Sequence, residues 1–146
     1  FKPYNDHYGY WRGDEMIRLV ARVLIAHCDT RRDFVGHVGG DDFVILFQSS
    51  DWLERCERIV AGFNDKAREL FDPEALQAGG IEAEDRHGDM RFHPCTTLCI
   101  GAVQVQPRRY ANAEDVASAA AAAKRAAKHG GRGVVVLDGA PRDTGY

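Results

Sequence analysis

Two carboxylates stand side by side at Asp41 and Asp42, directly behind two glycines, Gly39 and Gly40. Paired carboxylate oxygens are donors for a hard divalent cation. Glycine lets the backbone turn sharply and leaves the side chains that follow with little steric cover. The flanking residues 33–38 and 43–48 are β-type runs, so the four residues read as the tip of a hairpin with a tight turn. The same four residues would also make a good turn with no chemistry attached. The motif alone does not separate these readings.

Other reactive side chains are less suggestive. Cys28, Cys56, Cys95 and Cys99 contain no Cys-x-x-Cys pair, and metal ligation would need further ligands nearby. Cys95 and Cys99 lie four apart on an expected strand and so share a face. The cysteines read as small buried hydrophobes in a reducing cytoplasm. The six histidines, among them His37, His87 and His93, show no ligand spacing and read as surface or packing residues.

The elements that position these groups follow from periodicity. Ile17, Leu19, Val20, Val23, Leu24 and Ile25 recur at helical spacing and predict a helix over about residues 14–28. Ser50 is placed to cap a second helix over about residues 51–70, with an apolar stripe of Trp52, Leu53, Cys56, Ile59, Val60 and Phe63. Residues 72–93 are polar and glycine-containing and read as loop or a local hairpin, long for a compact domain. A strand is expected over residues 95–105. Asn112 caps an alanine-rich helix, with Glu114 and Asp115 suited to its positive end and Gly130 to its stop. Residues 134–137 read as a buried strand. Residues 1–138 are expected to form the domain and 139–146 a frayed tail. Adding a strand expected before the first helix gives an α/β (α+β) sandwich, its mainly antiparallel central sheet flanked by helices.

The chain has 146 residues, enough for one compact domain. Its net charge of -3 argues against a dedicated nucleic-acid binder, which would carry a basic surface. No apolar run is long enough to span a bilayer, and the polar start lacks the features of a signal peptide.

The turn Gly39-Gly40-Asp41-Asp42-Phe43 resembles the signature of the GGDEF domain of bacterial diguanylate cyclases. Four more blocks agree in order and spacing. Phe1-Lys2-Pro3-Tyr4-Asn5-Asp6-His7-Tyr8-Gly9 is similar to the family's Phe-Lys-x-x-Asn-Asp-x-x-Gly segment, and Gly13-Asp14 to the pair that opens its next helix. Thr97-Leu98-Cys99-Ile100-Gly101 resembles its central strand, and Ala127-Lys128-His129-Gly130-Gly131-Arg132-Gly133 its late Ala-Lys-x-x-Gly-Arg-Asn block. Residues 33–38 and 71–97 further resemble GGDEF domains of proteins that also carry EAL and CBS modules.

The resemblance implies a nucleotidyl-cyclase-like fold and a reaction that joins two GTP molecules into cyclic-di-GMP. Each GTP sits on one domain of a two-fold homodimer, and the 3′-hydroxyl of one attacks the α-phosphate of the other, releasing pyrophosphate. Such transfers depend on in-line positioning and charge neutralisation, the latter through Mg²⁺ or Mn²⁺. By resemblance, Asp41 and Asp42 are the metal-binding and catalytic pair, and Gly39 and Gly40 contribute to the substrate site. Asn5 and Asp14 match the positions that read the guanine edge. Lys128 and Arg132 match the triphosphate-binding pair, although cations there also suit a helix C-terminus. The implied setting is cytoplasmic, with linked sensory, EAL or CBS domains and no membrane contact by this domain.

Several positions depart from the family pattern. Its first metal-binding Asp is expected a few residues before Phe1, outside this sequence, so the 146-residue piece is expected to show little cyclase activity by itself. Asp42 stands where Glu is usual, one methylene shorter, and Tyr10 stands where His is usual. Ala120-Ala121 and Arg125 replace the usual Ala-Asp and Tyr. In the product-inhibition motif Arg-x-x-Asp, Thr30 holds the Arg position ahead of Asp33, so no standard inhibitory site is expected. The alternative to an active cyclase is a degenerate module that binds GTP or cyclic-di-GMP and regulates a linked domain, such as an EAL phosphodiesterase.

Overall fold

Met16, Leu19, Val20, Val23 and Leu24 fall on one side of a helix, and all five are buried. Cys56, Ile59, Val60, Phe63 and Ala67 form the matching stripe on another. Burying these two stripes is the main source of stability, at about 1.5–3 kcal/mol for each large side chain. In the computed structural model, which describes residues 1–131 and 133–137, the stripes belong to α2 (Tyr10–Ala26) and α3 (Trp52–Ala67), which pack together.

Phe1–Thr97 form one compact unit and the chain from Leu98 a second. The first unit holds α1 (Lys2–Tyr8), α2, β1 (Phe34–Gly39), β2 (Asp42–Leu46), α3, a 3₁₀ turn (Arg68–Leu70), α4 (Pro73–Ala78), β3 (Gly80–Glu84) and β4 (Met90–Pro94). The second holds β5 (Ile100–Val103), α5 (Ala113–Gly130) and β6 (Val134–Leu137). The architecture is α+β, as expected. Its strands pair two by two: β1 with β2 and β3 with β4 antiparallel, β5 with β6 parallel. The last pair is parallel because α5 lies between its strands and returns the chain to its starting end.

Local differences from the expected elements have local causes. The first helix runs from Tyr10, and α1 precedes it, with Pro3 in the first turn where its missing N–H costs nothing. Ser50 does not cap α3. The capping position is Asp51, whose carboxylate accepts from Arg55 Nε at 3.2 Å rather than from the helix amides. Residues 72–93 contain a short helix as well as a hairpin, because Asp72 caps α4 by accepting from the Ala75 amide at 2.8 Å. The expected strand over 95–105 shortens to β5, so Cys95 and Cys99 do not share a strand face. Residues 139–146, expected as a tail, lie outside the described residues.

An aromatic cluster ties α1 to the turn after α3. Tyr4 and Phe71 meet edge to face with ring centroids 5.1 Å apart, and Tyr8 lies 5.9 Å from Phe71. The Tyr4 hydroxyl donates to the Leu70 carbonyl at 2.7 Å, and burial pushes its pKa up to about 12. Tyr8 donates to Asp72 Oδ2 at 3.0 Å and accepts from the Asp72 amide at 3.1 Å. The Ala75 amide, assisted by Tyr8, holds the Asp72 carboxyl below the usual carboxylate range.

In the second unit, two alanines of the run are explained by close approach. Ala123 and Ala127 are fully buried on α5, which packs on β5 and β6. A Cβ on Gly101 of β5 would collide with the α5 backbone at Ala123 and Lys124. Small residues on both sides permit this spacing. Asn112 caps α5 as expected, accepting from the Asp115 amide at 2.9 Å. Its left-handed terminator is Gly131 at φ 63°, one residue beyond the expected stop.

Two outcomes follow. Gly101→Val is expected to destabilise the second unit by about 3 kcal/mol, since the clash is with backbone. Denaturant unfolding monitored in that unit measures it. Asp72 has a depressed folded-state pKa, so its contribution is full above about pH 4 and is lost as pH falls through the folded value. Urea midpoints measured from pH 6 to pH 2.5 are expected to fall less in Asp72→Asn than in the parent sequence.

Candidate functional site

The Gly-Gly-Asp-Asp turn is built by strand register. Phe34 pairs with Leu46, Val35 with Ile45, Gly36 with Val44 and His37 with Phe43. The register then shifts, and Gly39 pairs with Asp42. Gly40 and Asp41 are therefore the two-residue loop. Gly40 has φ 56°, a conformation that L side chains adopt reluctantly. Asp41 is exposed and Asp42 half-buried at the start of β2.

His37 braces this tip. Its Nε2 donates to the Gly40 carbonyl at 2.8 Å, and its ring stacks on Phe43 at 4.4 Å with an interplanar angle of 11°. The sequence suggested only a surface or packing histidine. The signal was present in the hairpin register, which sets residue 37 opposite residue 43 on one face.

Asn5 and Gly13 meet in a second place within the first unit. The Asn5 carboxamide lies on Gly13 of α2, and a Cβ there would collide with Oδ1. That oxygen is buried and has no hydrogen-bond partner. Leaving such an acceptor unpaired costs about 1–3 kcal/mol. Asp14 follows Gly13 and is exposed. The fold thus brings Asn5 from α1 against Gly13, eight residues on in sequence, next to Asp14 in the chain.

Lys128 stands exposed in the last turn of α5, in the second unit. Arg132 lies outside the described residues. Cys28, Cys56, Cys95 and Cys99 are all free thiols. Burial raises the Cys56 thiol to about 11, so it remains a protonated packing group.

Asp41 and Asp42 are the tip residues whose carboxylates could hold a divalent cation, since Mg²⁺ binds through one or two carboxylates and completes its shell with water and phosphate oxygens. Among the described residues, no group of three or more His, Cys, Asp or Glu side chains is clustered for a metal. A cation at the tip would therefore depend on Asp41, Asp42 and ligand oxygens together. Among the described residues, no helix is long and apolar enough to cross a membrane.

The model of the family described as "Diguanylate cyclase, GGDEF domain" matches residues 1–134. No curated protein and no solved structure matches the chain.

The Asn5–Gly13 contact makes a distinctive double-mutant cycle. Gly13→Ala is expected to cost about 1–3 kcal/mol through overpacking, despite the better helix propensity of alanine. Adding Asn5→Ala is expected to remove most of that cost. Chemical denaturation of the four proteins should give a coupling above about 1 kcal/mol.

Proposed function

The chain belongs to the diguanylate cyclase GGDEF-domain family, and on that premise we propose that its parent protein condenses two GTP molecules into cyclic-di-GMP and pyrophosphate. The observation that carries this reading is the carboxylate pair Asp41 and Asp42 at the glycine-made tip of the β1–β2 hairpin. In this reading the two carboxylates would hold Mg²⁺. The bound cation supplies charge neutralisation for phosphoryl transfer. Asn5 and Asp14 bind the guanine edge, an amide and a carboxylate being able to satisfy its acceptors and its N1 and N2 donors. Lys128 and Arg132 bind the triphosphate oxygens. Gly39 and Gly40 keep the tip free of side chains that would hold the nucleotide away.

Two such domains face each other across a two-fold axis, each presenting one GTP. This pairing converts a bimolecular encounter into an oriented attack of a 3′-hydroxyl on the opposite α-phosphate. The reaction belongs in the cytoplasm, under control of sensory, EAL or CBS domains on the same polypeptide. One observation favours a binding module instead: Asp42 is one methylene shorter than the usual Glu, and that loss of reach exceeds the roughly half-ångström tolerance within which such sites must be held.

The test is GTP turnover by the parent protein with Mg²⁺, with product identified by mass. Cyclic-di-GMP is expected to form and to fall at least about 100-fold in Asp41→Ala. Asp42→Glu is expected to raise kcat, and Asn5→Ala to lower the preference for GTP over ATP. Saturable GTP binding without product would establish the binding module in place of the enzyme. Turnover unchanged in Asp41→Ala would sink the assignment of the tip.

A further inference from the structure

Asp33 has a side chain that is 1% exposed, yet it is a carboxylate. Burial of a charge demands compensation by donors, and three separate segments supply them. The Gln48 amide, just past β2, donates to Oδ1 at 2.9 Å. The Asp29 amide, in the turn after α2, donates to Oδ2 at 2.8 Å. Arg55 of α3 donates to the same oxygen at 3.1 Å. Arg55 also reaches the His27 carbonyl at 3.4 Å and Asp51 at 3.2 Å, so the guanidinium is held from both sides. The Gln48 amide leads in holding the Asp33 carboxyl below the usual range, with the Asp29 amide and Arg55 adding to it against the opposing effect of burial.

The location of this network gives it a consequence. Phe34 and Leu46 are the outermost pair of the β1–β2 ladder. Asp33 lies one residue and Gln48 two residues beyond them, at the open end of the hairpin whose other end is the Gly39–Asp42 turn. We propose that Asp33, with Arg55, is a positioning clamp: it fastens the open end of the hairpin to the α2 and α3 ends, and so fixes where the turn carboxylates stand. The Asp33 carboxylate is committed to these internal bonds. The consequence for catalysis rests on the cyclase reading. The mechanical role does not.

Hydrogen exchange on the full chain tests the mechanical role without nucleotide. In Asp33→Asn and Arg55→Ala, the amides of β1 and β2 are expected to exchange at least about 10-fold faster. Those of Leu19 to Val23 and Ile59 to Phe63 are expected to stay within about two-fold of wild type. Arg55→Lys keeps one donor and is expected to restore part of the protection. Should Asp33→Asn fail to fold, the two Arg55 variants carry the comparison. Wild-type hairpin exchange in Arg55→Ala, or equal acceleration of hairpin and helices, overturns the clamp. In the parent protein, the same variants are expected to lower kcat at least about 10-fold with KM for GTP within about two-fold. A loosened hairpin with unchanged kcat would overturn the positioning role. A wild-type parent with no turnover would sink the cyclase reading alone, and the exchange result would still decide the clamp.

Discussion

A carboxylate taken out of water must be met by donors, and in this chain that requirement gathers four segments at Asp33. The turn after α2, the exit from β2 and the start of α3 each contribute a group, while β1 begins at the next residue. None of these bonds is exceptional alone. Together they join the β1–β2 hairpin to the helices whose apolar stripes line the core. The arrangement separates two tasks along one hairpin. Its open end is held by buried charge and hydrogen bonds, and its tip carries carboxylates at the turn.

The tip is shaped by different means. Gly40 supplies the positive φ that closes the turn. His37 then bonds its carbonyl and stacks on Phe43. A loop of two residues has no room for side chains to brace one another, so support must come from the strand beneath. This is why a histidine without any ligand spacing is part of the local design. Asn5 shows the reverse case. Its carboxamide is fixed by packing on Gly13 while its oxygen remains unpaired. Packing sets its place, and its hydrogen-bonding capacity is left over.

The second unit relies on small residues. Gly101 on β5 and the alanines of α5 allow helix and strand backbones to approach closely. What looks like low complexity in composition is a packing requirement. A larger side chain at Ala123 or Ala127 would lift the helix that ends in Lys128 and would disturb the β5–β6 pair on which it lies.

The sequence by itself determined the period-driven parts: the stripes of α2 and α3, the β1–β2 hairpin, the Asn112 cap, and the family to which the chain belongs. These depend on neighbours a few residues apart, and their signals are local. The sequence also singled out Asn5, Asp14, Asp41, Asp42 and Lys128 as candidates, by motif rather than by geometry. It missed α1, assigned the α3 cap to Ser50 and extended β5 too far, because the competing side-chain bonds, such as Asp51 to Arg55, involve choices that spacing does not rank. Only the tertiary structure decided that Asn5 rests on Gly13, that His37 braces the turn, and that Asp33 is spent on Gln48, Asp29 and Arg55. Each of those partnerships depends on which polar groups are buried together, and burial is settled by how distant segments pack.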